Sequence, residues 1–123
     1  LSDYLNQIHR DIFGARLNLK WDLIGQDTFV TLIGGDEHIG AVATGSFDRG
    51  SGRSYASVST LPGHREDEIA LYGARRFSSV SHSTTVFIVG IHLDSISKNE
   101  ILEIVRVSKE MIEELVGILG EEQ

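Results

Sequence analysis

Hydrophobic positions along the chain change period several times, and each change marks a predicted element. In residues 2–13, Leu5, Ile8, Ile12 and Phe13 recur at helical spacing with Ser2 or Asp3 available as N-cap, which predicts a short packing helix. From Arg16 the period drops to two: Leu17, Leu19, Trp21 and Leu23 alternate with Arg16, Asn18, Lys20 and Asp22. That alternation predicts a strand with one wet face. Gly25-Gln26-Asp27 turns the chain, and residues 28–33 are apolar on both faces, as in an interior strand. Gly34-Gly35 then ends that strand in a tight reversal.

Residues 39–47 form a third strand built from small residues, Gly40, Ala41, Ala43 and Gly45, which suggests that something packs close to it. A hairpin loop at 48–52 leads into an alternating strand at 54–61, which Pro62-Gly63 stops. Residues 65–79 carry Ile69, Tyr72, Gly73 and Phe77 at helical spacing, and Glu66, Asp67 and Glu68 in the first turn suit a helix dipole. Residues 84–91 are a β-branched and aromatic run that predicts a strand covered on both faces. The capping box Ser97-Lys98-Asn99-Glu100 opens a last helix with a regular stripe from Ile101 through Ile104, Met111 and Leu115 to Leu119. The order α-β-β-β-β-α-β-α predicts an α+β fold. It is expected to be a single mostly antiparallel five-stranded sheet, the last strand added through a helical crossover, with helices packed on it. No linker interrupts the pattern, so residues 1–123 are read as one domain.

Composition narrows the function classes. The chain has 123 residues, 41% of them apolar, enough to bury a core without staples. No run approaches the roughly 18 apolar residues of a membrane span, and no signal peptide opens the sequence. A cytoplasmic location without membrane partners is the expectation. The absence of cysteine excludes disulfides, thiolate metal sites and a cysteine nucleophile. A net charge of -7, from 18 acidic and 11 basic residues, argues against nucleic acid as a partner. A homo-oligomer is expected through a second apolar face of the last helix near Val107, Val116 and Leu119.

The chemistry-bearing residues concentrate in three turns. Gly35-Asp36-Glu37-His38, Pro62-Gly63-His64-Arg65-Glu66 and Gly90-Ile91-His92-Leu93-Asp94 each combine a histidine with at least one carboxylate where a strand gives way. Short reversals make the second and fourth predicted strands run the same way, and a helical crossover makes the fifth follow them. His38, His64 and His92 are therefore expected on one rim of the sheet, with Arg49 and Arg53 at the opposite edge. His38, His64, His92 and Asp94 there offer a ligand set for a divalent metal, and with it a small metal-dependent hydrolase or lyase. Histidine beside carboxylate also suits proton transfer. A hydrolytic triad ranks lower, because neither Ser59 nor Ser95 sits in a nucleophile elbow. Gly34-Gly35 amides could cradle an anion, against a rim crowded by Asp36, Glu37, Glu66, Asp67 and Asp94, with Arg16, Arg65 and Lys98 as offsets.

Taken together, the motifs Gly34-Gly35-Asp36-Glu37-His38-Ile39-Gly40-Ala41-Val42-Ala43, Leu61-Pro62-Gly63-His64-Arg65-Glu66-Asp67 and Gly90-Ile91-His92-Leu93-Asp94 resemble those of a prenylated-flavin chaperone-like domain family. That family includes the small accessory component of gallate and hydroxyarene decarboxylases, and its architecture is similar to that of proteasome assembly chaperones. The resemblance runs from about residue 16 to the last helix. It implies a non-catalytic helper that binds or delivers prenylated FMN, or docks on the large subunit of a UbiD-type decarboxylase. The matched positions are Gly35, His38, Gly40, His64, Gly90, His92 and Asp94, and with Gly34 and Arg65 they make up the expected cofactor-binding set. An assembly chaperone for another protein complex is the remaining alternative.

Overall fold

A computed structural model of the chain describes residues 6–60 and 66–121. The described elements are β1 (Gln7–Ile12), β2 (Ala15–Ile24), β3 (Asp27–Gly35), β4 (Ala41–Asp48), β5 (Arg53–Thr60), α1 (Asp67–Ser81), β6 (Thr85–His92) and α2 (Lys98–Glu121). Among the described residues the fold is α+β, with two helices and one sheet. The sheet differs from expectation: it has six strands in the order β1-β2-β3-β6-β4-β5 and is mixed. β6 lies parallel to β3 and antiparallel to β4, so it separates two strands that were expected to pair as a hairpin.

The extra strand is β1, where a helix was expected. Ile8 and Ile12 are four residues apart, a spacing that suits one face of a helix and equally one face of a strand. Their pairing with Leu19 and Ala15 turns both toward the core, while His9 and Asp11 share the other face. Phe13 and Gly14 both take positive φ, 49° and 78°, in the two-residue turn that joins β1 to β2. The part of the expected helix in residues 2–5 lies outside the described residues.

Both helices pack on one face of the sheet. Alternate residues Leu17 and Leu19 of β2, Val30 and Leu32 of β3, Phe87 and Val89 of β6, and Ala41 and Ala43 of β4 are buried there. They meet Ile69, Ala74 and Phe77 of α1 and Ile104, Met111, Ile112 and Leu115 of α2. The small residues of β4 have their explanation in this layer: a Cβ on Gly45 would stand 2.2 Å from the carbonyl oxygen of Ala74 in α1. Tyr72 and Arg76 of α1 both bond Glu113 of α2, with Arg76 Nε 2.7 Å from Glu113 Oε2, and Lys109 reaches Glu68 at 2.7 Å. The capping box closes α2 as predicted, Glu100 N–H donating to Ser97 Oγ at 3.1 Å and Ser97 N–H to Glu100 Oε1 at 2.8 Å.

The opposite face carries no described helix. Phe29, Thr31 and Ile33 of β3, Val86 and Ile88 of β6, and Val42 of β4 are half-buried on it, so the two central strands are not covered on both sides as their composition suggested. Val107, Val116 and Leu119, expected on a second apolar face of α2, pack against the chain's own core, Val107 and Leu119 remaining partly exposed. Among the described residues, no helix is long and apolar enough to cross a membrane.

Candidate functional site

Strand direction assembles the rim. β3 and β6 are parallel and end side by side, Gly35 opposite His92, and β5 runs with them because β4 reverses between. Since β6 lies between β3 and β4, residues 36–40 must cross over the end of β6 to connect them. Two backbone bonds pin that crossing, Asp36 N–H to the His92 carbonyl at 3.1 Å and Gly40 N–H to the Val89 carbonyl at 2.9 Å. The crossing lies so close that a Cβ on Gly90 would stand 1.6 Å from the His38 carbonyl oxygen. Gly35, at φ 69°, supplies the left-handed turn that starts it.

His38 and His92 therefore meet, with ring centroids 6.1 Å apart and planes near perpendicular. His38 Nδ1 lies 3.0 Å from the Asp36 carbonyl oxygen, which can only accept, so this nitrogen carries a proton. Its Nε2 lies 3.3 Å from Oε1 of Glu66, a buried carboxylate at the N-terminal end of α1. A Cβ on Gly40 would stand 2.5 Å from the same carboxylate, so the glycine makes room for it. The approaches opened by Gly40, Gly45 and Gly90 are thus filled by the chain's own atoms.

His92 Nε2 lies 3.1 Å from Asp94 Oδ1. One ligand atom each from Asp36, His92 and Asp94 falls within 4.8 Å of the others, an exposed set of one imidazole and two carboxylates. This group differs from the expected metal set of His38, His64, His92 and Asp94, because Asp36 enters and His38 turns to Glu66. His64 and Arg65 lie outside the described residues. Asp36 and Glu66 stand in the same motifs as the predicted histidines; what the sequence lacked was the crossing that aims them.

A groove opens beside the rim, on the sheet face away from the helices. Its cavity of about 320 Å³ is lined by Arg16, Asn18 and Lys20 of β2 and Thr31 and Ile33 of β3, and it runs up to Gly34, Gly35 and Glu37. Arg16 Nε is 3.0 Å from Asp11 Oδ1. The guanidinium beside it, chiefly through that hydrogen bond, holds the Asp11 carboxyl below the usual carboxylate range. Asn18 Oδ1 is shielded from water with no hydrogen-bond partner among the described residues. Ile33, the cations Arg16 and Lys20 and the unpaired acceptor Asn18 Oδ1 line the groove, a set whose charge suits an anionic ligand with an apolar part.

A family model described as a prenylated flavin chaperone LpdD-like domain matches residues 12–120. No curated protein matches the chain. A chain in the crystal structure of a novel chaperone complex for yeast 20S proteasome assembly has a similar fold, with a TM-score of 0.53 and 14% identity. The similarity covers 93% of this chain and 97% of that one.

Proposed function

The chain belongs to the prenylated flavin chaperone LpdD-like domain family, and from that membership we propose that it is a non-catalytic accessory protein that binds or delivers prenylated FMN. The contact set is Gly34, Gly35, His38, His92 and Asp94 at the rim, with His64 and Arg65, which the family motif adds. Gly40 and Gly90 shape the rim by admitting the Glu66 carboxylate and the 36–40 crossing. The recipient is the large subunit of a UbiD-type decarboxylase, and the flavin does its chemistry there. The family match over residues 12–120 is the observation that carries this reading. The rim's exposed His92 and Asp94, open to a docking protein, support it.

Native mass spectrometry of the chain mixed with FMN and with prenylated FMN tests the proposal. Selective retention of the prenylated form is expected, together with its loss when His38, His64 and His92 are replaced by alanine in a chain that keeps its circular dichroism spectrum. Equal retention by that variant would refute the rim as the binding site.

A second reading, a divalent cation on Asp36, His92 and Asp94, is favoured by the 4.8 Å clustering of their ligand atoms. The same spectra with added Mn²⁺ or Zn²⁺ separate the two, because Asp36→Asn, at a residue outside the flavin contact set, weakens metal retention and leaves flavin retention unchanged.

A further inference from the structure

An acidic rim and a phosphorylated ligand are at odds, and the charges along the adjoining groove reconcile them. We propose that the groove between β2 and β3 on the open sheet face binds a phosphomonoester at Lys20 and Thr31, and so orients the ligand with its ring end toward His92. The ligand's identity as a flavin rests on the reading above; the anion site and the orientation go beyond it.

Register sets the geometry. Lys20 pairs with Thr31, Asn18 with Ile33 and Leu17 with Gly34, so the groove runs along the strands from Lys20 and Thr31 to the rim. Four residues of strand span about 13 Å, so an elongated ligand can reach both ends. Charge then differs from end to end. Lys20 makes no ion pair among the described residues, whereas Arg16, nearer the rim, is committed to Asp11. Glu37 lies at the rim end, with Asp36 and Asp94 beyond it. A phosphate dianion is repelled from the rim and attracted to Lys20, while the Thr31 hydroxyl beside it can donate a hydrogen bond. Asp22, the next residue of β2 on this face, does not line the groove.

The middle of the groove suits a ring rather than a second phosphate. Ile33 gives it an apolar wall, and Asn18 Oδ1 has no hydrogen-bond partner among the described residues. The Asn18 carboxamide, which lines the groove, carries both an acceptor and a donor, the pair that a ring edge with alternating N–H and C=O groups requires. With the phosphate held at the far end, the ring lies toward the sheet edge, where a recipient protein can reach it.

The test compares FMN with riboflavin, which lacks the phosphate, on the wild-type chain and on Lys20→Gln. Lys20→Gln is expected to weaken FMN binding about tenfold, the loss of one charge-assisted contact, and to leave riboflavin affinity unchanged. Unchanged FMN affinity in Lys20→Gln, with loss in the triple-histidine variant, would overturn the groove and leave the rim reading standing. If the wild-type chain binds neither FMN nor riboflavin, inorganic phosphate titrated into ¹⁵N-labelled protein decides the anion site alone, and the flavin reading fails only if prenylated FMN is not retained either. Amide shifts at Lys20 and Thr31 that vanish in Lys20→Gln support the site; their absence in the wild-type chain overturns it.

Discussion

Replacing Gly90 by alanine tests whether the rim depends on the close crossing of residues 36–40. The added Cβ would stand 1.6 Å from the His38 carbonyl oxygen and 2.7 Å from its carbon, both backbone atoms that no rotamer change can move. An ordinary carbon to oxygen contact begins near 3.3 Å, so the crossing must retreat by about 1.7 Å. That retreat carries the Gly40 N–H beyond bonding range of the Val89 carbonyl, now 2.9 Å away. Losing one backbone bond costs about 1 kcal/mol, and forced repacking costs about 1–3 kcal/mol. The expected destabilisation is therefore about 2–4 kcal/mol, a large share of the roughly 5–15 kcal/mol that holds a domain together. Urea unfolding measures it as a lowered midpoint with an unchanged slope. A midpoint within about 0.5 kcal/mol of wild type would refute the crossing as drawn, since no relaxed backbone could absorb that overlap so cheaply.

Gly117→Ala should do the opposite, raising stability by roughly 0.5–1 kcal/mol, because this exposed residue of α2 has nothing within 4 Å of a new Cβ. The same urea measurement checks it, and a destabilised variant would contradict the helix as described. Glu113 gives a pH prediction. Its carboxyl is held below its ordinary value of 4.5, first by the hydrogen bond from Arg76 and further by that from Tyr72. Its contribution is therefore complete above about pH 4.5 and disappears as the pH falls through the lowered folded-state value. At 41% exposure the pair is screened, and Glu113→Gln should cost about 1 kcal/mol or less at pH 7. The wild-type and variant midpoints should converge as acid protonates the carboxyl in the folded state; a gap that survives that protonation would rule the ion pair out as its cause.

The helices and most strands were legible because their periods are unambiguous. The β-branched run of β6, the capping box of α2 and the acidic first turn of α1 each point one way locally. β1 was misread because Ile8 and Ile12 satisfy both periods, and the deciding features, the Phe13-Gly14 turn and the pairing with β2, are not local to them. Strand order was also out of reach. Gly34-Gly35 reads as a hairpin turn, yet it starts a crossing, because the energy gained by placing β6 in the centre comes from contacts with residues about 50 positions away. The two-sided apolar character of β3 and β6 suggested two covered faces, whereas the described structure covers one and leaves Phe29, Ile33, Val86 and Ile88 half-buried on the other.

The rim was nonetheless foreseeable, and the reason separates what topology dictates from what it leaves free. Strand direction depends only on the parity of reversals, so β3, β5 and β6 end at one edge whether or not β6 is inserted between β3 and β4. Inserting it adds a constraint: the connection from β3 to β4 must pass over residues 89–92. The meeting of His38 with His92 at 6.1 Å and of Asp36 with the His92 carbonyl follows from that passage. Gly35, Gly40 and Gly90 are what make it sterically possible. Nothing in the crossing fixes Lys20, Asn18 or Thr31, which lie on a plain antiparallel pair where any side chain of suitable size keeps the register. The gradient from the Lys20 end of the groove to the carboxylates of the rim is therefore a property of side-chain choice, independent of the fold. Charge reversal at Lys20 should accordingly leave the His38 and His92 geometry intact while changing which anions the face accepts.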